Sequence, residues 1–227
     1  MNKNESILLI AFLSLLSFPV LYICRFLDNN TLTGWQWVFA GVSVPMIIGL
    51  LLAALVISYI VSSKVPPVRR SLVGLFSLSI LAVIPLWSEP ELLIDSGRYF
   101  LQAKYLSTYG FPRFIREWGG EIGAWTDLPL IPALYGLLFK VFGESRVVIQ
   151  AFNTLLFALT VLLTSGIGRI LWGRETGYYA GLLLLGMPYL LTQVPLLLVD
   201  IPTMFFLTLA LFSFIRALKD GGGWLFF

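Results

Sequence analysis

Residues 197–206 read Leu-Leu-Val-Asp-Ile-Pro-Thr-Met-Phe-Phe, and they place one acid between two long apolar runs. The runs cover Tyr178–Val199 and Ile201–Ala217, and Asp200 separates them. A carboxylate at the edge of hydrocarbon is costly to hold, so an acid in this position is a candidate functional residue. Its alternative role is a helix N-cap, because Asp followed by Ile-Pro is a good helix start.

The composition of the whole chain is that of a membrane protein. The 227 residues are 58% hydrophobic and 12% charged, against roughly a quarter charged in soluble domains. The chain has no histidine and one cysteine, Cys24, which excludes Ser-His triads, an internal disulfide and Cys/His zinc sites. Its fifteen Lys and Arg are scattered rather than clustered, so no nucleic-acid partner is expected.

Apolar runs long enough to cross a bilayer predict an all-α, polytopic transmembrane helical bundle. The predicted spans are Ile7–Phe26, Trp37–Val61, Leu72–Trp87, Val147–Trp172, Tyr178–Val199 and Ile201–Ala217. We divide the chain into two N-terminal transmembrane helices (1–70), a core (71–220) with an outer loop (88–146), and the start of a further helix (221–227). The last segment indicates a fragment of a longer protein.

Basic residues between the spans predict the sidedness, since Lys and Arg concentrate in cytoplasmic loops. Alternating spans put three basic clusters on the cytoplasmic face: Lys64 with Arg69 and Arg70, Arg169 with Arg174, and Arg216 with Lys219. The outer loop and Asp200 are then extracytoplasmic. We expect an integral protein of a bacterial or archaeal plasma membrane with its candidate site on the outer face.

The first part of the outer loop has helical spacing over Ser96–Thr108, followed by a helix breaker at Tyr109–Pro112. Four polar side chains share one face of this helix: Asp95, Arg98, Tyr99 and Gln102. Asp95 is either a solvated acid paired with Arg98 one turn away or a functional carboxylate.

The second part of the outer loop is apolar over Leu128–Phe142 and carries two prolines. It is short for a span, so we predict a helix that lies in or dips into the outer interface. Asp127 precedes this segment, where an acid is unusual without a partner, and it is a third acidic candidate.

Other polar and aromatic residues leave two interpretations open. Arg146, Gln150 and Asn153 share a helix face, either as interhelical hydrogen-bonding groups or as the wall of a polar cavity. Trp118 and Trp125 are interpreted as interfacial anchors, with stacking on a sugar or lining a lipid groove as the alternatives.

Three stretches together resemble a known family. They are Leu93–Phe100 with the following Ala103–Leu106, Asp127–Ser145, and Leu197–Phe206. From Trp87 to Asp220 the chain is similar to the multi-spanning glycosyltransferases of the GT-C superfamily. The nearest branch holds the protein O-mannosyltransferases and the lipid A aminoarabinose transferase, of which this chain resembles the N-terminal portion.

The resemblance implies a membrane glycosyltransferase that moves a sugar, with inversion, from a polyprenyl-phosphate donor to a hydroxyl of a lipid, glycan or protein. Asp95 is then the catalytic base and Asp200 the second acid. Substrate-binding candidates are Arg98, Tyr99, Gln102, Asp127, Arg146 and Asn153. Many relatives carry Asp-Glu where this chain has Asp95-Ser96, which leaves open both the acceptor class and a divalent cation, Mg²⁺ or Mn²⁺, on Asp95 and Asp200. Turnover by this chain alone is also left open.

The alternative is a non-enzymatic polytopic membrane protein, a transporter part or assembly subunit, that uses Asp95 and Asp200 as ion or proton ligands. Transporters usually hold such groups near the bilayer midplane and often contain internal repeats. Both acids are predicted at the membrane edge and no repeat is visible, so the transferase is preferred.

Overall fold

The computed structural model of the chain describes residues 72–88, 94–125 and 127–221, together with the isolated residues 49, 52, 56 and 223. The chain divides into two compact units, Met1–Val68 and Arg69–Phe227, and nearly all described residues belong to the second. The predicted spans Ile7–Phe26 and Trp37–Val61, and most of the segment 221–227, lie outside the described residues.

The described part of the second unit is built from helices. They are α1 (Leu72–Val83), a 3₁₀ turn (Ile84–Ser88), α2 (Ile94–Tyr109), α3 (Phe111–Glu117), α4 (Leu130–Phe142), α5 (Arg146–Trp172), α6 (Arg174–Leu185), α7 (Pro188–Gln193) and α8 (Asp200–Asp220). Over these residues the only strand-like pairing is an isolated bridge between Trp118 and Ile122. The all-α prediction is confirmed for this region.

Within the described residues, two helices, α5 and α8, are long and apolar enough to cross a membrane. With 27 and 21 residues they extend about 40 Å and about 30 Å, against a hydrocarbon core of about 30 Å. They confirm as helices the predicted spans Val147–Trp172 and Ile201–Ala217. The outward face of α8 carries an apolar stripe of Leu207, Leu211, Phe214 and Leu218, a pattern suited to lipid.

The predicted continuous span over Tyr178–Val199 is wrong. Helix α6 ends at Leu185, Gly186 caps it, and Pro188 begins the separate short helix α7. Proline has no backbone N–H and its ring clashes with the preceding turn, so one helix cannot run through this point. Residues 194–199 then continue without helical structure up to the start of α8.

Helix α5 is the element on which the others pack, through two apolar clusters. One cluster joins α1, α5, α6 and α8 through buried residues that include Leu75, Phe157, Leu185 and Ile201. The other joins α2 and α4 to α5 and to the segment before α8, through buried residues that include Tyr99, Tyr135, Ile149 and Leu198. Both clusters therefore include residues of one continuous helix.

The outer loop forms compact helices as predicted. Helix α2 covers the predicted Ser96–Thr108, and Gly110 ends it with a φ of 84°, which favours glycine. Helix α4 covers all but the first two residues of the predicted Leu128–Phe142 and packs along α2. Its position relative to a membrane stays a prediction.

Glycines bring α5 and α6 close together. A Cβ on Gly177 would lie 2.4 Å from the Ser165 carbonyl oxygen and 2.5 Å from the Arg169 backbone nitrogen. A Cβ on Gly168 would lie 2.7 Å from the Cα of Gly177. Small residues at such crossings allow helix backbones to approach, as in membrane helix pairs.

We expect Gly177→Ala to destabilise the protein by about 1–3 kcal/mol, because the new methyl group meets backbone that cannot move without separating the helices. Gly97→Ala is the matched control, since the same group at this helical position meets nothing within 4 Å. Thermal unfolding in detergent compares the two. Equal melting temperatures for both variants would contradict the close helix contact.

Candidate active site

Arg98 is shared by two acids from different parts of the outer loop. Its Nη2 lies 3.3 Å from Asp95 Oδ1, on the same helix, and 3.0 Å from Asp127 Oδ2, in the turn before α4. The Asp95 side chain is 61% exposed, whereas that of Asp127 is 15% exposed. Asp127 is thus the sequestered counter-ion, and Asp95 is the acid that solvent or a ligand reaches.

Tyr99 closes this network. Arg98 Nη2 donates to the Tyr99 hydroxyl at 2.9 Å, and the hydroxyl donates to Asp127 Oδ1 at 3.3 Å. Burial raises the pKa of the Tyr99 hydroxyl, and the charge of Asp127 adds to this against the hydrogen bond from Arg98. The raised pKa keeps Tyr99 protonated at neutral pH, so it stays a donor to Asp127.

The charge of Arg98 is stabilised by the same groups. Burial lowers the pKa of the guanidinium, but the hydrogen bond to Tyr99 and the charges of Asp127 and Asp95 outweigh it, and the net pKa is raised. Arg98 therefore remains a permanent cation between two carboxylates.

A tight turn at Ala124–Asp127 supplies both Asp127 and an aromatic cover for Arg98. The Asp127 N–H donates to the Ala124 carbonyl at 2.8 Å, and the Trp125 ring centroid lies 5.4 Å from Arg98 Cζ. Gln102 supports the approach to this turn by donating to the Gly123 carbonyl at 2.8 Å. On the helix face predicted from the sequence, Arg98 and Tyr99 contact the acids, whereas Gln102 contacts the loop backbone.

Asn153 and Gln150 hold neighbouring backbone. Asn153 is fully buried and donates from Nδ2 to the Leu196 carbonyl at 2.7 Å, and Gln150 donates to the Trp87 carbonyl at 3.0 Å. The Tyr135 hydroxyl lies 2.6 Å from the Leu198 carbonyl and 3.0 Å from Asn153 Oδ1. These are the interhelical hydrogen bonds of the first interpretation. A substrate-binding role for Asn153 stays a prediction, as it does for Arg146, which is exposed at the start of α5.

We expect Asn153→Ala to lower the free energy of unfolding by about 1–3 kcal/mol, because it removes a fully buried amide and leaves the partly buried Leu196 carbonyl without its donor. Hydrogen exchange should also rise over residues 194–200, the segment that Asn153 fixes. Thr192→Ala is the control, since its exposed hydroxyl bonds only to the Tyr189 carbonyl in its own short helix. Unchanged exchange in Asn153→Ala would show that other contacts hold the segment.

One interpretation of the sequence made Asp200 the N-cap of a helix. In the structure Asp200 is instead the first residue of α8. The cap position is Val199, and no side-chain capping bond forms. Asp200 is exposed and lies on a shallow groove along one face of α8, with Val199, Thr203, Met204, Leu207 and Thr208 as its other lining residues. Within the described residues its carboxylate makes no hydrogen bond or ion pair, and it lies at the positive end of the helix dipole.

The two predicted catalytic acids flank one apolar cluster without touching. Asp95 is one helical turn from Tyr99, and Asp200 is two residues after Leu198; both Tyr99 and Leu198 belong to that cluster. No described contact joins Asp95 to Asp200, so a single cavity shared by both acids stays a prediction.

The described carboxylates are not arranged as a metal site. In this part of the chain no group of three or more acidic or thiol side chains is close enough to hold an ion. Asp95 and Asp127 already share the guanidinium of Arg98, which a divalent cation would have to displace. A cation on Asp95 and Asp200 therefore remains an expectation from the resemblance, and no step below depends on it.

Sequence reasoning did not identify the role of Trp125 or Tyr135. The signal for Trp125 was its place two residues before Asp127 in a Gly-Ala-Trp turn, and for Tyr135 a hydroxyl on the buried face of an otherwise apolar helix. Neither pattern specifies a partner, because both partners come from distant segments.

The described residues combine two apolar helices of spanning length with a charged network on the outer loop, the combination expected of an integral membrane protein. Residues 127–227 match the family model of the dolichyl-phosphate-mannose-protein mannosyltransferases. No curated protein and no solved structure matches the chain. The family match confirms the resemblance predicted from the sequence and indicates a membrane glycosyltransferase of the mannosyltransferase type. The matched region includes Asp127 and Asp200, and Asp95 contacts it through Arg98.

Proposed function

We propose that the chain forms the acceptor-activating part of a membrane glycosyltransferase, which moves a sugar from a polyprenyl-phosphate donor to an acceptor hydroxyl on the extracytoplasmic face. The observation that carries the proposal is the exposed Asp95 carboxylate, held by Arg98 against a matched segment of the mannosyltransferase type. These 227 residues contain no histidine, so a base supplied by them must be a carboxylate or similar group, and Asp95 meets that need.

Asp95 acts as the general base. The acceptor hydroxyl transfers its proton to Asp95 as its oxygen bonds to the anomeric carbon of the donor sugar. The bond from that carbon to the phosphate oxygen breaks, and polyprenyl phosphate leaves with the electron pair. Attack opposite the leaving group inverts the anomeric configuration. Arg98 Nη2 lies 3.3 Å from Oδ1 of Asp95, and the 61% exposure of this side chain leaves the carboxylate open to the acceptor.

Arg98 is a positioning residue in this mechanism. A guanidinium flanked by two carboxylates belongs to a cluster with net charge −1, which repels a phosphate group. Arg98 therefore orients Asp95 and is not the ligand of the donor phosphate. The same contact argues against the non-enzymatic alternative, because an ion bound at Asp95 would compete with a cation fixed in place.

Asp200 serves the acceptor in this proposal. Its shallow groove alternates the polar Asp200, Thr203 and Thr208 with the apolar Val199, Met204 and Leu207, which suits a ligand that carries both hydroxyl and hydrocarbon parts. The carboxylate would repel a phosphate, so the groove fits an acceptor better than the donor headgroup. A divalent cation at Asp200 would reverse that preference.

Asp95→Asn is expected to reduce sugar transfer by about 10²–10⁴-fold, because asparagine keeps the shape and loses the base. Transfer is measured in the full-length protein with labelled polyprenyl phosphate mannose as donor, and donor binding should stay close to that of the wild type. Glu144→Gln is the matched control: this exposed acid pairs with Lys104 at 3.0 Å, away from Arg98. Asp95→Asn activity above about a tenth of the wild type would remove Asp95 from the base role.

The extracytoplasmic location is tested by cysteine labelling in a Cys24→Ala background. With a membrane-impermeant maleimide, Ser145→Cys should react in intact cells, and Glu175→Cys only after permeabilisation. These positions lie at opposite ends of α5, just outside Arg146 and Trp172. The reverse pattern would put Asp95 and the outer loop in the cytoplasm and contradict the proposed sidedness.

A further inference from the structure

The turn between α5 and α6 brings two arginines to one end of this helix pair. The Gly173 N–H donates to the Arg169 carbonyl at 3.2 Å, and α6 begins at Arg174. A Cβ on Gly177 would lie 2.4 Å from Arg169 Cγ, so the stem of Arg169 packs against α6 at Gly177. Gly177 is about one helical turn from Arg174. The two arginine side chains therefore start from neighbouring points of the α5–α6 turn.

Neither arginine has a counter-ion in the part of the chain that the structure describes. Both are exposed, and neither side chain forms a hydrogen bond or an ion pair with a described residue, the adjacent Glu175 included. The arginines of α3 are different, because Arg113 pairs with Glu121 at 3.7 Å and Arg116 pairs with Glu117 at 2.9 Å. Two positive charges at the α5–α6 turn are thus left for a ligand to neutralise.

Helix α8 brings a third cation to the same end of the bundle. Ile149, near the start of α5, shares an apolar cluster with Leu198, just before α8, so the two helices run in the same direction. Farther along, a Cβ on Gly166 would lie 2.9 Å from Cε2 of Phe212, and both helices end within about two turns of this contact. Lys219, in the last turn of α8, is exposed and likewise has no described ion pair.

Exposed aromatic and apolar side chains accompany these charges. Trp172, the last residue of α5, is 70% exposed, and Leu171 and Tyr179 are 48% and 46% exposed. Trp and Tyr are enriched where a membrane meets water. Helix α5 is about 10 Å longer than the hydrocarbon core, so its end can reach the phospholipid headgroups. Cations and aromatic rings are therefore combined at the depth of the lipid phosphates.

We infer that the α5–α6 turn binds an anionic phospholipid, with the lipid phosphate on Arg169 and Arg174 and with Lys219 beside it. Guanidinium groups match phosphate oxygens in a bidentate geometry, and Trp172 packs against the upper acyl chains. A soluble anion would satisfy the arginines but leave the apolar side chains uncovered. In the predicted topology this lipid belongs to the cytoplasmic leaflet, at the end of α8 opposite Asp200, so the inference does not rest on the proposed function.

Lipid binding to the purified full-length protein in neutral detergent tests the inference. The probes are dioleoyl phosphatidylglycerol and the zwitterionic dioleoyl phosphatidylcholine, counted by native mass spectrometry. The wild type should prefer phosphatidylglycerol about tenfold or more, and less so as salt rises. Arg174→Gln should weaken phosphatidylglycerol binding about fivefold, and Arg169→Gln combined with Arg174→Gln about 30-fold, with phosphatidylcholine binding unchanged.

Two further variants separate lipid binding from folding and from net charge. The Arg174 side chain makes no described hydrogen bond or ion pair, so Arg174→Gln should keep the melting temperature of the wild type. Arg174→Lys should bind phosphatidylglycerol within about threefold of the wild type, because it retains the charge. Arg116→Gln is the matched control: it removes the same charge from an exposed arginine that already pairs with Glu117, and its lipid binding should be that of the wild type.

Two outcomes overturn the inference. Equal binding of the two lipids by the wild type, or an unchanged preference in the double variant, would show that the arginines bind no anionic lipid. Displacement of phosphatidylglycerol by millimolar inorganic phosphate would assign them to a soluble anion. Either result would leave the proposed transferase, which is tested at Asp95, unaffected.

Discussion

The arrangement of the segment from α2 to the start of α4 depends on one cation held between two carboxylates. Arg98 forms ion pairs with Asp95, on its own helix, and with Asp127, in the turn before α4. Only Asp127 is sequestered from solvent. Removing the Asp127 carboxylate and the Arg98 guanidinium from most of their water is costly unless the two groups satisfy each other. The helix α2, the Ala124–Asp127 turn and the start of α4 must therefore stay in register for Arg98 to keep its partners, which fixes the exposed carboxylate of Asp95.

Uncharged hydrogen bonds have the same positioning effect on the segment before Asp200. Residues 194–199 leave the helix after α7, so their carbonyl groups need donors from elsewhere. Asn153 and Tyr135 supply them to Leu196 and Leu198, from helices that also form the cluster containing Tyr99. The buried pair of Tyr135 and Asn153 thus links the position of Asp200 to the core that supports Asp95.

Local rules of the sequence predicted the elements well and their interruptions less well. Apolar length identified α5 and α8, and helical spacing identified the face with Asp95, Arg98 and Tyr99. Hydropathy over Tyr178–Val199 concealed a break, because Gly186 and Pro188 stop a helix without making the segment polar. The partners of Arg98 and Asn153 are 29 and 43 residues away along the chain. No periodicity within a helix reports such contacts, so Asp127 could be seen as a candidate but not as a counter-ion.

The glycine contact between α5 and α6 has a consequence for how the protein is made. Helix α6 has 12 residues, about 18 Å of rise, which is well short of a bilayer's hydrocarbon core. A segment of that length is a poor insertion signal by itself, and a single glycine, Gly173, separates it from α5. The two helices are thus suited to enter the bilayer together as a hairpin, with α5 supplying the hydrophobicity. A defect at this contact between α5 and α6 would then reduce the amount of protein that reaches the membrane.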